Sequence, residues 1–97
     1  MRWAVEDAEY LTSRPMRYPG GIAVLPEWTI EALADWNLVK LEPDPKSRSG
    51  AIRFIGFSAS AERVVTVIAK RDSDGVLDGI NAWPATGADV RIYRGGS

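Results

Sequence analysis

Chemistry in this chain must be carried by carboxylates, tyrosines, lysines and arginines, because the sequence contains neither histidine nor cysteine. The commonest general base, the commonest metal ligand, the thiolate nucleophile and disulfides are all excluded. No cofactor motif or nucleophile triad is present, so neither a cofactor nor a metal is expected. What remains is suited to binding anions, above all through arginine, whose fork grips a phosphate at two points. Residues 1–45 hold four basic and eight acidic side chains, net −4, whereas residues 46–97 hold eight basic and five acidic, net +3. An anion-binding surface is therefore expected in the second half, the plainer alternative being two solvated faces of different sign. An overall charge of −1 argues against indiscriminate binding to nucleic acid.

Within that half, Arg53 alternates with Ile55 and Phe57, and Lys70 with Thr66 and Ile68. Each cation thus shares a strand face with apolar neighbours. If the register brings those faces to one side of a sheet, Arg53 and Lys70 make a cationic surface with Arg91 or Arg94 at its rim. Trp83 shares a face with Asn81 and suits either a base-stacking platform or a core or partner anchor. The stretch Lys46-Ser47-Arg48-Ser49-Gly50 lacks the glycines and following helix of a phosphate loop and reads as a solvated turn.

The elements that must position these residues follow from period and punctuation. Helix formers, early acids and the spacing of Ala4, Ala8 and Leu11 predict a first helix over Trp3–Leu11. Prolines and glycines mark a loop over Arg14–Gly21. Pro26 and Glu27 open a second helix, in which Leu25, Trp28, Ala32, Leu33 and Trp36 form one apolar stripe. Strands are expected over Leu38–Glu42, Ala51–Ser58, Arg63–Lys70 and Val76–Trp83, the second and third joined by Ala59–Glu62 and the last preceded by an Asp74-Gly75 turn. Thr86, with Asp89 three residues on, resembles a capping box and starts a short helix through Tyr93, followed by a frayed Gly95-Gly96-Ser97 tail. The expected fold class is α+β, with two N-terminal helices, a four-stranded antiparallel sheet and a short C-terminal helix, the helices on one face.

With 45% hydrophobic and 26% charged residues, four of them tryptophan, the 97-residue chain is composed like one packed domain spanning 1–97. The acidic N-terminus is unlike a signal peptide, and no stretch approaches the roughly 20 apolar residues of a membrane span, so the cytoplasm is the expected location.

Four stretches in order, Phe54-Ile55-Gly56-Phe57-Ser58, Arg63-Val64-Val65-Thr66-Val67-Ile68, Asn81-Ala82-Trp83-Pro84-Ala85-Thr86 and Asp89-x-Arg91-x-Tyr93, resemble the pattern of the BrnT-type toxins of bacterial toxin-antitoxin pairs. The resemblance spans roughly residues 24–94. It implies a RelE-like fold, a metal-independent endoribonuclease acting on mRNA, and a DNA-binding antitoxin as partner. Such cleavage needs a base for the 2′-hydroxyl, cations for the phosphorane and an acid for the 5′ oxygen. Under the resemblance Arg63 matches the family's arginine at the strand start. Arg63, Lys70 and Arg53 then act as stabilisers, Glu62 or Asp89 as base and Tyr93 as acid, with Arg91, Arg94 and Trp83 contacting RNA. The chain departs from the family's basic positions at Trp83, Asp78, Gly87 and Ala88, from its histidine at Ala69, and from its Lys-His-Gly stretch at Pro19-Gly20-Gly21. Those departures motivate the alternative of a non-catalytic protein-interaction module that still pairs with a DNA-binding partner.

Overall fold

A computed structural model describes residues 1–12 and 24–95. The loop expected over Arg14–Gly21 and the last two residues of the expected tail lie outside these. The described elements are β1 (Arg2–Trp3), α1 (Val5–Thr12), α2 (Pro26–Leu33), β2 (Val39–Leu41), β3 (Ile52–Ser58), β4 (Arg63–Arg71), β5 (Leu77–Pro84) and α3 (Gly87–Tyr93). The class is α+β, as expected. The sheet is not the four-stranded antiparallel one, however. It has five strands in the order β1-β5-β4-β3-β2, an antiparallel meander extended by β1 running parallel to β5.

The fifth strand takes in Trp3, the residue expected to begin the first helix, which starts instead at Val5. Extended backbone at Arg2–Trp3 pairs with Asp78 and Gly79. It lets the Trp3 ring lie flat over Gly79, where an added Cβ would stand 2.5 Å from a ring carbon. Trp3 Nε1 also donates to Thr29 Oγ1 of α2 at 2.8 Å. Helix propensity within a few residues is worth tenths of a kcal/mol, less than burying an indole with its polar edge satisfied, so packing decides the local structure.

Strand alternation divides the sheet into two faces. Ile52, Phe54, Val65, Val67, Ala69 and Ala82 point to one side and form the main core with Leu11 of α1 and Ala32 of α2. Gly56 is essential to that packing, since a Cβ there would lie 2.1 Å from the Ala32 carbonyl oxygen. Arg53, Ile55 and Thr66 point to the other side, where α3 packs. The expectation of all helices on one face is therefore corrected: α1 and α2 cover one face and α3 the other. The cause is the Pro84–Thr86 connection, which carries the chain around the end of β5 instead of back over the core.

Helix α2 also ends earlier than its apolar stripe suggested. Its last residue is Leu33, capped by Ala34, and Trp36 is wholly exposed. Asp35 breaks the stripe by turning its carboxylate to the amides of Asn37 and Phe57, a local bond that competes with helix continuation. In β5 a bulge opposite Ile68/Ala69 leaves Ile80 unpaired and exposed. Among the described residues no helix is long and apolar enough to cross a membrane.

Candidate functional site

Arg53 lies near the start of β3, opposite Ile68 of β4 and Leu41 of β2. Because Ile68 and Lys70 share a strand face, the register does put Arg53 and Lys70 on one side of the sheet. They do not form a common cationic surface, since Arg53 is buried, at 7% exposure. Its Nε and Nη2 donate to the two oxygens of Asp44 at 3.1 and 3.2 Å, and its Nη1 donates to Asp89 Oδ2 at 2.7 Å. Thr66 Oγ1 donates to the same Asp89 oxygen at 2.8 Å, and the guanidinium carbon stands 5.5 Å from the Trp83 ring centroid. Burial pushes the guanidinium pKa down, but the bonds to Asp44 and the nearby Asp89 charge outweigh this and hold it above its ordinary value.

The local sequence explains both acids. Asp44 is presented by the polar turn after β2, where its amide donates to Ala51 O at 2.7 Å and its Oδ1 accepts from Lys46 N. Asp89 sits in the first turn of α3. Instead of completing a capping box with Thr86, whose side chain makes no cap bond, it sends its carboxylate down to the sheet. The helix start is where the motif placed it, but the cap is a backbone one, Asp89 N–H to Thr86 O at 3.0 Å.

Tyr93, at the end of α3, donates its hydroxyl to Asp35 Oδ2 at 2.5 Å. That oxygen also accepts from Phe57 N–H at 2.8 Å, the edge amide just beyond the Val39–Ile55 pair where β2 begins. Burial acts to raise the Asp35 pKa, but the bonds from Tyr93, Asn37 and Phe57 prevail and hold it below the ordinary range. The Tyr93 hydroxyl is correspondingly raised, first by burial and then by the bond to Asp35.

A groove of about 400 Å³ opens where the β3–β4 turn meets α3. Its apolar floor is made by Phe57, Val64, Pro84 and Val90, and its polar rim by Glu62, Arg63 and Arg94. None of those three rim side chains has an ion-pair partner among the described residues. Glu62 is also the non-glycine residue with a positive φ, +54°, among those described. Such a backbone costs an L-residue about 1–2 kcal/mol, and strain of this kind collects at functional sites. The groove is thus lined by two arginines and one glutamate that have no ion-pair partner among the described residues.

The residues singled out from sequence thus separate. Arg63 and Arg94 share the groove; Arg53 and Trp83 share the buried cluster; Tyr93 is held by Asp35. Lys70 is exposed, opposite Asp78. It stands seven residues along β4 from Arg63, about 23 Å at a strand's rise of roughly 3.3 Å per residue, too far to share a phosphate. Arg91 is exposed on α3. Of the two candidate bases, Asp89 is engaged by Arg53 and Thr66, and Glu62 has no ion-pair partner among the described residues. Phe57 was not distinguished in the sequence, where it reads as one more apolar strand position, and only its 42% exposure marks it out. Among the described residues no three acidic side chains converge as a metal site would require. No protein-family model matches the chain, and no curated protein matches it.

Proposed function

We propose that the chain is a toxin-type, metal-independent endoribonuclease of BrnT-like, RelE-like character, acting at the groove between the β3–β4 turn and α3. The observation that carries this reading is that Glu62, Arg63 and Arg94 line one groove and none is ion-paired among the described residues. In the reaction Glu62 accepts the proton of a ribose 2′-hydroxyl. The 2′ oxygen attacks the adjacent phosphorus, the bond to the 5′ oxygen breaks, and a 2′,3′-cyclic phosphate and a 5′-hydroxyl result. Arg63 and Arg94 stabilise the charge that develops on the non-bridging oxygens. The leaving 5′ oxygen takes its proton from water at the open groove, because the Tyr93 hydroxyl is committed to Asp35. A DNA-binding antitoxin covering this groove would silence it.

The test is cleavage of a single-stranded RNA by purified protein in EDTA. Wild-type protein should cut; Arg63→Ala should lower the rate by at least about a hundredfold and Glu62→Gln by about a hundred- to ten-thousandfold. Intact RNA with the wild type, and no growth arrest on expression, would overturn the proposal.

One observation favours a second reading, a non-catalytic module that pairs with a DNA-binding protein. Arg53 and Tyr93, two residues of the expected catalytic set, are engaged inside the fold. RNA cleavage abolished by a single substitution at Glu62 rejects it, and co-purification of an inert chain with a DNA-binding partner supports it.

A further inference from the structure

Phe57 is the one strand residue on the α3 face of β3 that is not buried. Arg53 and Ile55, four and two positions before it on the same face, are covered, whereas Phe57 stays 42% exposed on the floor of the groove. Its backbone is fixed, with its amide held by Asp35 Oδ2 at 2.8 Å and its position paired with Val64. An open aromatic surface on a rigid strand, flanked by apolar Val64 and Val90 and bordered by two arginines, matches a ligand with a flat apolar ring and an anionic group. A volume of about 400 Å³ is that of a site for one small molecule.

We infer that Phe57 is a base-stacking platform, so that the groove takes one unpaired nucleotide of an RNA with its base against Phe57 and its phosphate toward Arg63 and Arg94. This rests on the ribonuclease reading and names what the site selects. A base stacked in a helix cannot reach the ring, so the ligand is single-stranded. Trp83, the other aromatic considered for this role, has its ring under Arg53.

The experiment measures binding apart from cleavage, using fluorescein-labelled 2′-O-methyl pentanucleotides and anisotropy. Five probes each carry one abasic position. Stacking predicts that one abasic position weakens binding about tenfold, that Phe57→Ala weakens binding of the intact probe about tenfold, and that the two losses do not multiply. Phe57→Trp should retain affinity within about threefold, and a duplex of the same sequence should bind at least about tenfold more weakly. Multiplying losses, no loss with Phe57→Ala, equal binding of the duplex, or no binding of any probe would each overturn the inference. The two proposals fail separately. Stacking-dependent binding with uncut RNA removes the nuclease and keeps the platform, and cleavage with binding indifferent to Phe57 removes the platform alone.

Discussion

Asp89 Oδ2 accepts from Arg53 Nη1 at 2.7 Å, so one ion pair joins the start of β3 to the first turn of a helix on the far face of the sheet. Arg53 carries a second, two-point pairing with Asp44, and all three side chains are at most 13% exposed. Removing the cation leaves two buried carboxylates unpaired. Arg53→Ala should therefore destabilise the fold by about 3–5 kcal/mol. Arg53→Lys should recover only part of that loss, because an ammonium cannot reproduce the two-point contact. Urea unfolding followed by Trp fluorescence measures both, and a loss under about 1 kcal/mol for Arg53→Ala would contradict a structural role.

The Tyr93–Asp35 bond ties the end of α3 to the α2–β2 connection and, through the Phe57 amide on the same oxygen, to the edge of β3. Tyr93→Phe should cost about 1–2 kcal/mol of stability while leaving RNA cleavage by the Glu62 groove within about threefold of wild type. A loss of cleavage of a hundredfold or more in a folded Tyr93→Phe protein would restore the tyrosine as the general acid.

Stability should fall on both sides of neutrality for identifiable reasons. Asp44 and Asp35 have folded pKa values below the ordinary range, burial being outweighed in each case by hydrogen bonds, from Arg53 for Asp44 and from Tyr93 for Asp35. Depressed carboxylates contribute stability that is present above about pH 4 and is lost as pH falls through their folded values. Tyr93 is raised, first by burial and then by Asp35. Its contribution is complete below about pH 10 and is lost as pH rises through its folded value. Chemical denaturation across pH should show a plateau between these limits, and Tyr93→Phe should remove most of the alkaline decline.

At Glu62 function and stability should part. Glycine accepts the φ of +54° without a Cβ penalty. Glu62→Gly should therefore match or exceed the wild type in melting temperature, by up to about 1 kcal/mol of stability, while losing cleavage. A variant that is both unstable and inactive would argue that Glu62 serves the turn instead of the chemistry.

Two substitutions test the packing itself. Gly56→Ala would place a Cβ 2.1 Å from the Ala32 carbonyl oxygen, and because that atom is helix backbone the whole of α2 must move, at a cost of about 2–3 kcal/mol or more. Trp36→Ser, at a fully exposed position, should change stability by no more than about 0.5 kcal/mol. Thermal melts should show a clear drop for Gly56→Ala and a midpoint close to wild type for Trp36→Ser.

Period and punctuation in the sequence were enough to locate the four meander strands, the α2 start at Pro26 and the α3 start after Thr86, because each depends on neighbours a few residues apart. Composition alone removed histidine and thiolate chemistry, and the count of charges placed the positive excess in residues 46–97. Tertiary structure decided what lies between distant residues. It made a strand of Arg2–Trp3, because the indole of Trp3 finds Gly79 and Thr29. It exposed Trp36, because Asp35 turns to Phe57, and it sent α3 to the opposite face. It also separated arginines of identical chemistry, Arg53 neutralised by two acids from remote turns and Arg63 without an ion pair among the described residues. A cation's availability depends on which carboxylates the fold brings within about 3 Å of it, and that distance is set by register and packing, not by the residue's own place in the chain.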